Sequence, residues 1–230
     1  MWNRKELKER GKAAFTANYW RCVLAALILT FITGSATYIS SSGRGHQSSS
    51  ELPQQMSNLP PWAIAAIAGV SIIVILIFIL VKIFIFNPLE VGCHKFFIDN
   101  CSIPTTSLST IKKGFENFGK VFVTLFLRDL FLVLWTLLFI VPGLIKAYSY
   151  RMVPYILAEE PDLEPMEVIN RSKEMMNGNK WAAFVLDLSF IGWFLLSLVT
   201  CGLVDVLWTS PYKKSTDAEL YLALRQQTIY

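Results

Sequence analysis

The sequence predicts an all-α protein, a polytopic membrane bundle of about six spans arranged as three hairpins, with amphipathic helices on the cytoplasmic side. Three observations carry this prediction. The run Trp62–Phe86 is apolar on every face and has one formal charge, Lys82. About 20 such residues in a helix cross the hydrocarbon core, and no ordinary soluble helix is apolar all round for that length. Composition agrees: 53% of residues are hydrophobic, 17% are charged and the mean hydropathy is +0.45, where a soluble domain carries roughly 25% charged residues. Third, the approaches to two of the apolar runs repeat each other. At 230 residues the chain is sized for a single integral membrane domain, and a net charge of +4 is too small to imply nucleic acid. The expected partner is the lipid bilayer.

Residues 1–19 read as a basic, amphipathic cytoplasmic helix. The first hairpin covers 20–86: a span from Trp20 to about Tyr38, a polar Ser/Gln-rich outer loop over 40–61 containing Arg44 and His46, and the returning span Trp62–Phe86. Residues 87–158 hold a polar connector and the second hairpin. Its spans are Phe118–Val141, ending at the Pro142-Gly143 turn signal, and the shorter Leu144–Ala158. Residues 159–230 hold a polar connector, the span Lys180–Thr200, a sixth run beginning Gly202–Ser210, and a tail. Leu144–Ala158 and Gly202–Ser210 are each shorter than a full crossing. If all six runs cross and the N-terminus is cytoplasmic, the outside keeps only Arg44; if the two short runs do not cross, Arg171 and Lys173 move outside. Positive-inside bias therefore favours six spans with both termini in the cytoplasm. Gly34-Ser35-Ala36 resembles a signal cleavage site, but the basic region before it is long for a signal and belongs to the repeat.

The repeat aligns RGKAAFTANYW, Arg10–Trp20, with RSKEMMNGNKW, Arg171–Trp181. Asn18 matches Asn179 and Trp20 matches Trp181; the third span has a looser copy with Asn117-Phe118 at its start. Leu108, Ile111, Phe115 and Phe118 share one helical face, as do Met166, Ile169 and Met176. The tryptophans suit the headgroup level. The returning arms match too: Gly143 and Pro154-Tyr155 correspond to Gly202 and Pro211-Tyr212, and the first arm ends at Asn87-Pro88. Three two-helix units would bury a shared seam.

Charges inside the spans are costly and should face the interior in pairs. Arg128 and Asp129 lie mid-way along the third span, Arg151 in the fourth and Asp187 in the fifth. Neighbours on a helix point about 100° apart, so Arg128 and Asp129 are not expected to pair with each other; pairing is expected among Asp129, Arg151 and Asp187. Lys146 and Asp205 each follow a hairpin glycine by three residues and are expected to pair at the outer edge. Such groups either lock helices together or line a polar pathway. Lys82 reaches the cytoplasmic interface by snorkelling and needs no further role. The acidic segment Glu159, Glu160, Asp162 and Glu164 reads as a solvated loop.

No catalytic constellation is visible: His46 and His94 are the only histidines, and no metalloprotease, nucleophile-elbow or phosphate-loop motif occurs. The spacing CHKFFIDNC, Cys93–Cys101, fits no common zinc pattern. The expectation is no enzyme, no cofactor and no metal.

The segments VPGLIKAYSYRMVPYILAEEP, RSKEMMNGNKW, LSFIGW and TSPY, with the N-terminal basic helix ending in NYW, resemble the bacterial integral membrane family called domain of unknown function 975. They are more distantly similar to the membrane domain of some glycerophosphodiester phosphodiesterases. The resemblance implies a multi-pass protein of the bacterial plasma membrane and carries over no activity. Two functions are compatible with these features. One is a non-enzymatic accessory, scaffold or self-protection component that binds another membrane protein or a peptide. The other is a small transporter or channel, which requires a water-lined cavity reaching Arg128, Arg151 or Asp187.

Overall fold

The computed structural model describes residues 2–41, 60–103 and 106–228, and every element in it is helical. The expected outer loop with Arg44 and His46 lies outside the described residues. Helix α1 (Arg4–Ala17) opens with Asn3, whose side chain accepts from the Lys5 N–H at 3.0 Å. It breaks at Asn18 into α2 (Tyr19–Ser41). Helix α3 (Pro61–Val81) runs through one π-helical turn, Lys82–Phe86, into α4 (Asn87–Ser102). A 3₁₀ segment, Leu108–Phe115, leads by way of Asn117 into α5 (Phe118–Leu138). Asn117 adopts the left-handed conformation with φ 52°, which Asn tolerates better than most residues. The returning arm is α6 (Ile140–Ser149) and α7 (Val153–Glu159). Helix α8 (Pro165–Met175) precedes α9 (Lys180–Leu188) and α10 (Ile191–Val199). A second π turn, Asp205–Thr209, continues into α11 (Ser210–Thr228).

Among the described residues, Phe118–Leu138 and Lys180–Val199 are long and apolar enough to cross a membrane. The pair Arg4–Ala17 and Tyr19–Ile32, bent by 106° at its break, makes a third if counted as one span. Helix α3 has 21 residues and no charge, about 31 Å of helix.

The two π turns share a cause. Proline has no N–H and its ring crowds the carbonyl four residues back. Pro88 and Pro211 would meet Phe84 and Leu207, and both lie in the π turns. The residue before each proline donates five residues back instead: Asn87 N–H to the Lys82 carbonyl and Ser210 N–H to that of Asp205. One extra residue per turn lets a long helix pass through a proline without breaking. In the middle arm the chain does break, at Tyr150–Met152 just before Pro154.

These elements sort into two tiers. The packed body is built from α1, α4, α7, α8, α11 and the near ends of α2, α5 and α9; Phe15, Phe96, Phe97, Met152, Ile156 and Tyr221 are fully enclosed there. Its tightest crossing joins α4 to the 3₁₀ segment. A methyl group at Gly92 would collide with the Ile111 carbonyl, and one at Gly114 with that of Pro88, so only glycine permits the approach. From this body α3 and the distal parts of α5–α6 and α9–α10 project with apolar side chains outward among the described residues.

Candidate ligand chamber

Groups from α4, α5, the α6–α7 break, α9 and α11 line one open cavity of about 470 Å³. Helix α4 brings Glu90 and His94, α5 brings Arg128 and Asp129, and the α6–α7 break brings Arg151. Asp187 comes from α9, and α11 contributes Lys213, Lys214 and Asp217.

The charges form two clusters. In the first, Arg128 donates from Nη1 to Glu90 Oε1 at 2.9 Å and from Nε to Asp129 Oδ1 at 2.9 Å. Lys82 Nζ stands 3.8 Å from the other Asp129 oxygen. In the second, Arg151 holds Asp187 in a two-pronged contact, Nη1 to Oδ2 and Nη2 to Oδ1, both 2.9 Å. The same Nη2 reaches Asp217 Oδ1 at 2.7 Å. Lys213 Nζ bridges Asp187 and Asp217 at 3.1 and 3.0 Å, and the Tyr148 hydroxyl donates to Asp187 at 2.9 Å. Both arginine side chains are only 14% exposed. Removing one partner from such a pair leaves the other charge without its counter-ion, at a cost of about 3–5 kcal/mol. Burial pushes the Asp217 carboxyl up, but Arg151, Lys213 and Lys214 outweigh it and hold the group at about 2. Burial likewise raises Glu90, and Arg128 more than reverses the shift.

Two groups stand apart from both clusters. Lys214, half-buried in the chamber wall, makes no hydrogen bond and no ion pair within 4.0 Å among the described residues. Burial lowers its pKa. His94 is buried with Nδ1 unpaired, and its ring lies 4.2 Å from that of Tyr155. Burial, and then the neighbouring Lys214 charge, bring His94 down to about 3, so it is neutral at ordinary pH.

The expected pairings need correction. Arg151 and Asp187 do pair, but Asp129 is not with them: it joins Arg128, the neighbour judged unable to reach it. The 100° argument holds for Cβ directions, whereas a guanidinium on a three-carbon stem swings across that gap. Lys146 and Asp205 form no ion pair. Lys146 Nζ sits 4.7 Å over the Trp135 ring, and Asp205 Oδ1 is buried without a partner at the head of its π turn. A neighbouring aromatic face on the same hairpin thus takes the place of the distant carboxylate. Lys82 faces Asp129 and is more than a snorkelling charge. The acidic segment is not simply solvated. Glu159 accepts from Tyr221 and Arg225, Glu160 pairs with Arg171, Asp162 accepts from Asn117, and Glu164 pairs with Lys120.

Asn18, Trp20, Asn179 and Trp181 sit at the junctions between tiers. Asn18 donates to Asn100 Oδ1 and to the Thr106 carbonyl, both at 2.9 Å. Asn179 accepts from Trp2 Nε1 at 3.0 Å. Trp20 and Trp181 are exposed beside them. Sequence reasoning missed Glu90, Lys213, Lys214 and Asp217 as members of the site. The available signal was the i, i+4 pair Lys213–Asp217 just after a proline that matches Pro88 and Pro154.

Residues 138–228 match the family model described as protein of unknown function, DUF975. The match supports the family resemblance. The DUF975 stretch contains Arg151, Asp187, Lys213, Lys214 and Asp217, the second charge cluster with its odd lysine; the first cluster lies ahead of it. No curated protein and no solved structure matches the chain.

Proposed function

We propose that the chain is a multi-pass protein of the bacterial plasma membrane, six spans in three duplicated hairpins with both termini in the cytoplasm, and that it binds and moves a small charged solute through the chamber. The observation that carries this is the cavity itself: it reaches Arg128, Arg151 and Asp187 together, which a transporter or channel requires. The asparagine junctions at Asn18, Asn117 and Asn179, and the prolines at 88, 154 and 211, support the duplication. The chamber takes groups from just beyond Pro88, Pro154 and Pro211, so it opens toward the cytoplasm in this topology. A single cysteine introduced as Ala147→Cys, on the chamber wall, is expected to react with a membrane-impermeant maleimide from the cytoplasmic side. Proteoliposomes should then show flux of an ion such as sodium, chloride or phosphate, blocked once the maleimide occupies the Ala147→Cys site.

A second reading keeps the scaffold role: a non-enzymatic accessory or self-protection component that engages another membrane protein or a peptide. It is favoured by the way both clusters join different helices, α4 to α5 and the α6–α7 break to α9 and α11. On that reading wild-type liposomes show no flux. Flux that the maleimide at the Ala147→Cys site blocks removes it.

A further inference from the structure

We propose that the chamber holds a singly charged oxyanion, a phosphodiester or carboxylate group, against Lys214 and His94. This rests on the chamber reading above and names the class of ligand. Charge accounting runs over the lining and Lys82, which stands outside the lining but pairs with Asp129. Arg128 and Lys82 face Glu90 and Asp129, two cations and two carboxylates. Arg151 and Lys213 face Asp187 and Asp217, again two and two. Each cluster is neutral and closed on itself. Lys214 then remains as a cation in the wall without a direct counter-ion among the described residues. The carboxylates that act on it from further off, Asp217 and Glu90, are already engaged by Arg151 with Lys213 and by Arg128. An ammonium partly withdrawn from water without a direct partner leaves its charge uncompensated, and one negative charge in the cavity compensates it.

His94 shapes the same spot. It lines the cavity and is 6% exposed; Nδ1 is closed off without a partner, so the cavity meets the rest of the ring. Lys214 also acts on it electrostatically. A neutral imidazole offers a hydrogen bond without adding charge, so the recognition set is one full positive charge and one polar ring. That set suits a monoanion better than a dianion. Leu132 and Pro154 give the cavity an apolar flank for the organic part of the ligand.

Two sources share this chemistry: a soluble anion and the headgroup of an acidic lipid. The test uses the full chain in nanodiscs and reads thermal unfolding. In phosphatidylcholine discs, dimethyl phosphate or acetate is titrated; in a second arm, phosphatidylglycerol replaces part of the phosphatidylcholine with no soluble anion present. A rise in Tm in the first arm assigns a soluble anion, and a rise in the second alone assigns a lipid headgroup. Lys214→Met is expected to abolish the shift or weaken apparent affinity about tenfold or more, the loss of one charge-assisted hydrogen bond. Lys214→Arg should restore it, and Lys112→Met, exposed and remote from the chamber, should leave it intact. Unliganded Lys214→Met should unfold no earlier than wild type; if it does, Lys214→Gln takes its place. No shift with any of these anions, or an equal shift in Lys214→Met, overturns the inference. An anion shift without flux leaves the site standing and removes transport. Flux of a cation with no anion shift leaves the chamber standing and removes the oxyanion.

Discussion

Helix α11 carries Lys213, Lys214, Asp217 and Glu219, yet every residue from Ser215 to Tyr221 is buried. The tip of the second hairpin, Leu137–Ile145, carries no charge, and Leu137, Ile140 and Val141 there are 86%, 73% and 67% exposed. In water this arrangement would be upside down. It makes sense if the solvent around the tips is hydrocarbon, since lipid rewards apolar side chains on the outside, and a polar group is then best placed inward with a partner. The body and the hairpins therefore rely on different forces. Packing and mutual satisfaction of charges hold the body, while the apolar projections have few protein neighbours.

The sharpest way to break this contrast is to remove a charge from the interior. Arg151→Ala strips Asp187 of its two-pronged partner and Asp217 of its shortest contact, leaving only Lys213 between them. The expected cost is about 5 kcal/mol, the upper end for losing a buried partner. It is read as a fall in unfolding midpoint in detergent. A loss under about 1 kcal/mol would mean that solvent screens the chamber as it screens a surface pair.

Acid tests the same interior without mutation. His94 titrates near 6.5 when unfolded and about 3 in the fold. The native state refuses a proton that the unfolded chain accepts, so stability falls as pH drops from about 6.5 towards 3. The loss reaches on the order of 4 kcal/mol by the lower limit. Asp217 has the same sign in a lower window: held at about 2, it favours the fold above pH 4 and loses that advantage as pH falls through its folded value. Replacing His94 with Gln removes the titration between pH 6.5 and 3 while leaving that of Asp217. Unfolding midpoints measured across pH check both, and a His94→Gln profile parallel to wild type would show that the imidazole takes up a proton as readily in the fold as in the unfolded chain.

How much of this was legible beforehand follows from where the signal lies. Helix runs, junction asparagines and marking prolines are local, and they emerge directly from spacing. The Arg151–Asp187 pair was accessible because both charges interrupt apolar runs and so demand partners. Glu90 and Asp217 were hidden for the opposite reason. Each sits in a polar stretch where a charge needs no explanation, and only the π turns carry those stretches inward as continuous helix. The exchange of Asp129 from Arg151 to Arg128, and the solitary Lys214, depend on which helices touch, and no spacing rule encodes that.

The smallest expected effect is the one that defines the contrast most cleanly. Leu220 is fully enclosed on α11, and Leu137 is the most exposed leucine on the second hairpin. Leu220→Ala removes packed methyl groups and leaves a cavity, for about 3 kcal/mol. Leu137→Ala removes the same atoms from a side chain with almost no protein around it, so the detergent-measured stability should move by about 0.5 kcal/mol or less. The tip variant is instead expected to weaken association of the second hairpin with liposomes, because Leu137 is worth more in hydrocarbon than alanine is. Equal losses in detergent for the two variants would show that the tip packs against protein, a second copy being the nearest candidate, and would erase the distinction between the tiers.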